Sequence, residues 1–271
     1  MSDAFDLTAY FDRIGYGGSA APALETLSAI HARHVASIPF ETLDPLMGRP
    51  VVLDLDALQA KLVQKRRGGY CFEQNALFMG ALRTMGYSVT GLAGRVRWMS
   101  PPDAPFGPRS HMLLRVDLPE GPFLADVGFG AHLLDAPLRL EPDVEQATPL
   151  ALYRFSFSDG VFGLQVRQAD GWRIAYMFTL EPQFASDYVM SNWFTSTHPQ
   201  SLFISTLLAE RLTAEARFNL INNRLTERYH DGRVVERTLS DAEAFGEALD
   251  QVFNLEPPVP AEAVFAKLPT I

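Results

Sequence analysis

The residues best suited to covalent chemistry lie in one stretch, Arg66-Arg67-Gly68-Gly69-Tyr70-Cys71-Phe72-Glu73-Gln74-Asn75. Cys71 is the only cysteine of the chain, and it follows two glycines at the start of an apolar run with helical spacing. A thiol at a helix N-terminus lies beside unpaired N–H groups and the positive end of the helix dipole, which favour the thiolate. Arg66 and Arg67 add positive charge nearby. We therefore interpret Cys71 as a nucleophile, against the alternative of a small buried apolar residue.

A cysteine nucleophile needs a base, and the base needs a group that orients it. His111 stands on a predicted strand and Asp126 on the next one. If Pro119-Glu120 form the centre of the turn, paired residue numbers add to 239, and Asp126 is the diagonal neighbour of His111 on one face. A turn centred on Glu120-Gly121 would place the two farther apart. A carboxylate among apolar residues needs a partner, and the alternative partner is an arginine such as Arg115.

Composition excludes several classes of protein. The chain has 271 residues, of which 47% are hydrophobic, enough for a core shared by two or three small lobes. Its net charge of −9 argues against a nucleic-acid binder. A single cysteine excludes an intramolecular disulfide and a multi-cysteine zinc site, and the scattered histidines give no other metal-ligand cluster, so we expect no metal.

The expected location is the cytoplasm. Residues 1–6 lack the basic and apolar regions of a secretion signal. No apolar stretch approaches the roughly 20 residues that a membrane-spanning helix needs, so we expect no membrane partner.

Hydrophobic periodicity divides the chain into three parts. Residues 1–87 read as helical, with helices over 6–14, from Leu24, from Asp54 or Asp56, and from Cys71 to Gly86. Alternating patterns and Asp-Gly turns then predict an antiparallel barrel or strongly bent sheet, followed by a helix near 184–194. The last part mixes extended segments at 202–208, 218–229 and 233–239 with a helix from Ser240 or Asp241 and a short one after Pro260.

Together these residues resemble the arylamine N-acetyltransferase family in its bacterial form. The stretch Arg67–Asn75 is similar to the family's cysteine motif, and Ser110-His111 and Asp126-Val127-Gly128-Phe129-Gly130 to its histidine and aspartate motifs. Ile38-Pro39-Phe40-Glu41 resembles an early pocket segment, and the stretch from Asn192 to Phe203 resembles a signature ahead of the last domain. Thr42 departs from the asparagine more usual in the family, which affects one hydrogen bond near the site.

The resemblance implies an α+β fold with a helical bundle over 1–87, a β-barrel over 88–195 and an α/β lid over 196–271. It implies a triad of Cys71, His111 and Asp126, arranged as in cysteine proteases, and a buried pair between Arg67 and Glu41. The implied substrates are acetyl-CoA as donor and an arylamine or arylhydrazine as acceptor, taken up by a monomer or homodimer.

The resemblance also suggests which residues surround the substrates. A flat apolar slot for the acceptor ring is expected at Phe40, Val96, Phe129 and Phe203, each of which has plain core packing as its alternative. Contacts with the CoA arm are expected at Trp98, Ser110 and Gly130.

Three other functional interpretations of the same residues stay open. A thiol hydrolase or an amide synthase that closes macrolactam rings would use the same triad. A non-catalytic binding module would carry Cys71 as an inert buried thiol. A phosphate-binding loop is rejected, because Arg67-Gly68-Gly69 lacks the following Lys and Ser or Thr.

Overall fold

A computed structural model describes residues 5–101 and 103–269 of the protein, so most of the N-terminal segment examined for a secretion signal lies outside the described residues. The fold is α+β, as the sequence predicts. The helices are α1 (Leu7–Ile14), α2 (Leu24–Ser37), α3 (Leu43–Leu46), α4 (Leu55–Leu58), α5 (Cys71–Thr84), α6 (Ala185–Thr197), α7 (Ala242–Glu247) and α8 (Ala261–Phe265). Two π-helical turns, Gln59–Gln64 and Ala248–Val252, continue α4 and α7.

Thirteen strands among the described residues form two antiparallel sheets, one of eight strands and one of five. The strands are β1 (Phe40–Glu41), β2 (Ser88–Val96), β3 (His111–Leu118), β4 (Gly121–Ala125), β5 (Leu138–Arg139), β6 (Gln146–Ala147), β7 (Leu152–Ser158), β8 (Val161–Gln168), β9 (Gly171–Phe178), β10 (Leu208–Leu212), β11 (Ala216–Ile221), β12 (Arg224–Tyr229) and β13 (Val234–Thr238).

The helical part packs around α5, whose apolar side chains Phe72, Leu77 and Phe78 are fully buried. They share one hydrophobic cluster with α1, α2 and the inward-facing residues of β3, including Met112 and Leu114. The cysteine helix and the histidine strand therefore belong to one core, which fixes them relative to each other.

The eight-stranded sheet curls into a nearly closed barrel in the order β5-β4-β3-β2-β9-β8-β7-β6. Its two edge strands meet through Gln146, whose side chain accepts from the N–H of Arg139 and donates to the C=O of Arg139. Leu118 pairs with Gly121 and Leu114 with Ala125, so paired residue numbers add to 239. The register predicted from a turn centred on Pro119-Glu120 is thus confirmed.

The five-stranded sheet has the order β1-β10-β11-β12-β13 and packs against α7 and α8. Its edge strand β1 comes from the helical part of the chain, which joins that part to the C-terminal part by backbone hydrogen bonds. The domain boundaries at residues 87 and 195 stay a prediction.

The sequence prediction was wrong in two places in the C-terminal part. The segment 202–208 begins with a 3₁₀ turn, Leu202–Ile204, because the Ser201 hydroxyl accepts from the Phe203 N–H and the strand starts only at Leu208. The predicted extended run 218–229 is two strands, broken where Asn222 adopts φ +54° in a turn.

Candidate active site

The two glycines before Cys71 allow the chain to pass close to its neighbours. A Cβ on Gly68 would lie 2.2 Å from the carbonyl oxygen of Pro39, and one on Gly69 would lie 2.6 Å from Oε2 of Glu73. Both distances are too short for a real Cβ, so only glycine fits at these two positions. The absence of these side chains lets Glu73 reach back and accept from the Tyr70 N–H at 3.1 Å, which caps the helix that starts at Cys71.

Cys71 is 4% exposed at the first position of α5. Its Sγ lies 3.6 Å from the carbonyl oxygen of Ser110, the residue before His111. The Cys71 N–H has no acceptor among the described residues. On the other side, Gly128 packs directly on the cysteine, since a Cβ there would lie 2.7 Å from the Cys71 Cα. Helix and barrel loop thus enclose the thiol.

His111 and Asp126 meet beside this thiol. The Nε2 of His111 donates to Oδ2 of Asp126 at 2.6 Å, and both side chains are buried. Because Nε2 is engaged with the carboxylate, Nδ1 is the nitrogen left to face the sulfur, and a hydrogen bond with Cys71 helps to raise the pKa of His111. The structure therefore brings together Cys71, His111 and Asp126, and it gives Arg115 a different partner, Asp117.

The pKa values of the pair follow from two opposing effects. Burial alone would lower the pKa of His111, but the charge and hydrogen bond of Asp126, with the contact to Cys71, raise it to about 10. Burial would likewise raise the pKa of Asp126, but the His111 cation and donors from Asn75 and Gly128 hold it below its usual range. At neutral pH His111 is therefore a cation beside the sulfur, and Asp126 is an anion.

Four donors complete the shell of Asp126. Oδ2 also accepts from the Tyr176 hydroxyl at 2.7 Å, while Oδ1 accepts from Nδ2 of Asn75 at 2.9 Å and from the Gly128 N–H at 3.0 Å. The fourth donor is His111 itself. A fully buried carboxylate stays ionised when its lone pairs are satisfied in this way, so the shell fixes both its charge and its direction.

Two buried histidines of α2 support the site without belonging to it. Nε2 of His31 accepts from the Asp126 N–H at 3.3 Å, and burial lowers the pKa of His31 to about 4. Nε2 of His34 donates to Oε1 of Gln74 at 2.8 Å, while its Nδ1 accepts from the Tyr10 hydroxyl. Because burial also lowers the pKa of His34 to about 3, both rings are neutral groups with a structural role.

The predicted pair between Arg67 and Glu41 is present. The guanidinium donates from Nη2 at 2.7 Å and from Nε at 3.1 Å to Oε1 of Glu41, and Nη2 also lies 3.3 Å from Asp44. Lys61 joins the cluster with Nζ 2.6 Å from both Asp44 and Glu73. The cluster ties the segment that carries Phe40 to the cysteine loop.

The sequence predicts that the positive charges of Arg66 and Arg67 favour the thiolate of Cys71, but the structure gives both guanidinium groups other partners. Arg67 is neutralised by carboxylates, and the guanidinium of Arg66 donates to the side chain of Asn254. The cation that faces the sulfur is His111 instead.

The four residues expected to form the acceptor slot differ in position. Phe129 packs edge-on against His111, with ring centroids 5.2 Å apart, and Phe40 packs edge-on against Phe203 at 6.0 Å. Gly130 connects the two pairs, because a Cβ there would lie 2.2 Å from the Phe40 ring. Val96 is 37% exposed, and its strand pairing with Tyr176 puts its side chain on the same sheet face as His111.

The three residues expected to contact the CoA arm lie around the same wall. Trp98 packs edge-on against Phe129 at 6.4 Å and against His132 at 5.4 Å, and it is partly exposed. Ser110 directs its carbonyl at the thiol, and Gly130 faces Phe40. These assignments to substrates stay predictions.

Comparison with known proteins places this geometry in a family. The family model described as N-acetyltransferase matches residues 23–260. An arylamine N-acetyltransferase of Mycobacterium tuberculosis is 42% identical over 93% of this chain and 90% of its own length. The arylamine N-acetyltransferase of Escherichia coli is 42% identical over 92% of this chain and 88% of its own length.

The chain belongs to the arylamine N-acetyltransferase family.

Solved structures agree with this assignment. The arylamine N-acetyltransferase of Mycobacterium marinum superposes with a TM-score of 0.92 at 40% identity, covering 97% of this chain and 99% of that one. A second structure of that protein, in complex with CoA, gives the same TM-score of 0.92 and covers 98% of this chain and 100% of that one. Membership of the family makes the protein an acyltransferase.

Thr42, which departs from the arylamine N-acetyltransferase pattern, bonds away from the triad. Its Oγ1 accepts from the Leu208 N–H at 2.9 Å and lies 3.2 Å from the carbonyl oxygen of Thr206. It therefore joins the end of β1 to β10, and none of its hydrogen bonds goes to Cys71, His111 or Asp126.

Sequence reasoning missed Tyr176 and His31 as neighbours of the triad. Tyr176 stands 50 residues after Asp126 on β9 and reaches the carboxylate only because the barrel curls. Its local signal is the alternation of an ordinary strand. Asn75 could have been predicted as a neighbour of the site. It lies within the cysteine motif, four residues after Cys71, and so on the same face of the helix.

No three His, Cys, Asp or Glu residues in the described part of the chain are grouped so that they could hold a metal ion. Within the same ranges, no helix is long and apolar enough to cross a membrane.

Proposed function

We propose that the protein acetylates arylamines and arylhydrazines with acetyl-CoA by a ping-pong mechanism through an acetyl-Cys71 intermediate. The observation that carries this proposal is the position of Cys71 beside a His111 imidazole that is itself held by Asp126 at 2.6 Å. A related chain of Mycobacterium marinum has been solved in complex with CoA, which supports acetyl-CoA as the donor.

The first half-reaction uses the ion pair of sulfur and imidazolium. His111 already holds the proton that Cys71 gives up, and Asp126 stabilises this cation. The thiolate attacks the thioester carbonyl of acetyl-CoA, the C–S bond to CoA breaks, and His111 returns its proton to the departing CoA sulfur. One thioester replaces another, so the step is nearly balanced in free energy.

The second half-reaction transfers the acetyl group to nitrogen. An arylamine is mostly neutral near pH 7, so its lone pair attacks the acetyl-Cys71 carbonyl without prior deprotonation. His111 accepts the proton that the nitrogen loses, and the C–S bond to Cys71 breaks. The amide leaves, and Cys71 and His111 return to their starting protonation.

Two further features of the site suit the proposed reaction, one for the oxyanion and one for the acceptor ring. The N–H of Cys71 has no acceptor among the described residues and lies at the start of α5, so it is our candidate donor to the oxyanion. The aromatic rings of Phe129, Phe40 and Phe203 are our candidates for the wall of a slot that admits a flat acceptor.

Initial-rate kinetics test this proposal. With acetyl-CoA and an aniline varied together, the account predicts parallel double-reciprocal lines, and CoA release from the enzyme before any amine is added. A Cys71→Ser variant is expected to release no CoA. Intersecting lines, with CoA released only when amine is present, would show direct transfer in a ternary complex and contradict the proposed intermediate.

The same assay separates the alternatives that the triad leaves open. A thiol hydrolase would release acetate from acetyl-CoA continuously without amine, whereas the proposed enzyme stops after one turnover. An amide synthase would ignore simple anilines. The cytoplasmic location and the choice between monomer and homodimer stay predictions.

A further inference from the structure

A cavity on the side of α1 is lined by two arginines, Arg13 and Arg66. It has a volume of about 430 Å³ and lies where α1 and the π-helical turn after α4 meet the C-terminal part of the chain. Arg13, Arg66, Gln64 and Asn254 supply polar groups to its wall. A second cavity of about 260 Å³ shares Arg66 and Asn254 with it, and its wall also carries the carboxylates Asp250 and Glu256, neither of which forms an ion pair with Arg66 among the described residues.

The two arginines of this wall lack carboxylate partners. Among the described residues, neither Arg13 nor Arg66 forms an ion pair, although Asp12 lines the same cavity. Arg13 is anchored by a hydrogen bond from Nε to the carbonyl of Leu62 at 3.0 Å, and its buried Nη2 has no acceptor in that part of the chain. The hydrogen-bonding capacity of this guanidinium is therefore not met by the protein.

A third guanidinium adds to the charge. Burial lowers the pKa of Arg13 to about 10, and the charges of Arg66 and Arg211 lower it as well. The guanidinium of Arg211 donates hydrogen bonds to the carbonyls of Ala36 and Val252, and it forms no ion pair within the described residues. The charge of Glu215 acts on Arg211 in the opposite direction, so the repulsion on Arg13 comes first from Arg66.

Two residues of this wall end helical turns. Arg66 and Asn254 follow the C-caps of the two π-helical turns in the left-handed conformation that commonly ends a helix, with φ +49° and +52°. Their side chains are hydrogen-bonded to each other, which holds the two helix ends together at the cavity.

We propose that this cavity binds a small molecule bearing an oxyanion, a phosphate or carboxylate group, held by Arg13 and Arg66. Guanidinium groups are the preferred donors to both kinds of oxyanion, and the amides of Gln64 and Asn254 extend the set of donors. The volume suits a small ligand rather than a single ion. The bound anion would offset the repulsion among the arginines and bridge α1 to the start of the cysteine loop.

Two sources of the oxyanion are distinguishable, because acetyl-CoA itself carries phosphates. If the phosphates of CoA occupy the cavity, Arg66→Gln raises the KM for acetyl-CoA and CoA competes with inorganic phosphate. If a separate small molecule binds there, Arg66→Gln leaves that KM unchanged, and phosphate binds equally well in the presence of CoA.

The test uses the full-length protein, with inorganic phosphate and citrate as probes. Calorimetry should give one site per chain for one of the probes. The Tm should rise by about 5 °C at saturating probe relative to sodium chloride of the same ionic strength. Arg13→Gln and Arg66→Gln should each weaken binding about 10- to 100-fold. Arg167→Gln is the matched control, because it removes an exposed arginine of β8 that lines neither cavity.

Arg66 is exposed, so its variant is expected to fold even if Arg13→Gln does not. Equal stabilisation by chloride and by both probes would overturn the proposal. So would binding that Arg66→Gln leaves at the wild-type affinity.

Discussion

Nε2 of His111 and Oδ2 of Asp126 lie 2.6 Å apart, and the two side chains are only 2% and 0% exposed. The carboxylate accepts from two further side chains, Tyr176 and Asn75, and from a backbone N–H. Because every lone pair of Asp126 has a donor, the aspartate can stay charged and hold the imidazole in one orientation.

Tyr176→Phe removes one of the two hydrogen bonds to Oδ2 of Asp126 and nothing else from the site. A hydrogen bond to a charged group contributes about 1.5–3 kcal/mol, so kcat/KM is expected to fall by about 10- to 100-fold. Steady-state kinetics with an aniline measure this loss. Tyr153→Phe is the matched control, because its hydroxyl lies 3.4 Å from His132 rather than at the triad, and its activity should stay within about twofold of wild type.

A purely structural role for Tyr176 would give a different result. In that case Tyr176→Phe would lower the Tm and leave the rate of Cys71 alkylation by iodoacetamide unchanged. We expect the alkylation rate to fall, since a misoriented His111 no longer activates the sulfur as a nucleophile.

The contribution of His111 to stability should depend on pH in a stated direction. The folded state raises its pKa from 6.5 to about 10, mainly through Asp126 acting against burial. A raised pKa means that the folded state holds the proton more tightly, so the stabilisation is complete below pH 6.5 and is lost as the pH rises through about 10.

Urea unfolding of the wild type and of His111→Gln at several pH values measures this effect. The difference between their free energies of unfolding should shrink steadily from pH 6.5 to about 10. A difference that is constant or grows over that range would mean that His111 is not a cation in the folded protein.

Glu41→Ala leaves the guanidinium of Arg67 with one of its two carboxylate partners, Asp44, in a buried cluster. Breaking a buried pair on one side costs roughly 3–5 kcal/mol, so the Tm should fall by about 10 °C, and activity should fall with it because β1 and the cysteine loop separate. Glu236→Ala breaks the exposed pair with Arg224 and is expected to leave the Tm unchanged. A Glu41→Ala variant as stable as wild type would refute the role of the pair.

Gly128→Ala tests the contact between the aspartate loop and the cysteine. The new Cβ would lie 2.7 Å from the backbone of Cys71, so helix α5 or the loop must shift. Overpacking of this kind costs about 1–3 kcal/mol, and displacement of a nucleophile can cost about 100-fold in rate. Gly107→Ala, with nothing within 4 Å of its Cβ, should behave as wild type in both assays.

Short sequence patterns were enough to predict much of this site. The remaining contacts depend on the curvature of the barrel and on helix packing. The Gly-Gly-Tyr-Cys stretch could be recognised because a sharp turn into a helix needs those residue types at those positions. The hairpin register could be counted because one turn joins β3 to β4. Tyr176 and His31 could not be found in this way, since they reach Asp126 through the curl of the barrel and the packing of α2, which leave no short-range mark.

The same limit explains the errors outside the site. The strand β1, which lies inside the part predicted to be helical, has two residues and pairs with β10, which begins at Leu208. A pattern so short cannot be told from a loop. The 3₁₀ turn at Leu202–Ile204 depends on a single serine hydroxyl, while its short run of consecutive apolar residues is equally typical of a buried strand.

Intact-mass spectrometry after mixing with acetyl-CoA, in the absence of any amine, is the most direct test of the central claim. The account predicts one added acetyl group per chain, located on Cys71 by peptide mapping, lost again on addition of an aniline, and absent from the Cys71→Ser variant. An unmodified protein after exposure to acetyl-CoA, or an acetyl group on a residue other than Cys71, would contradict it.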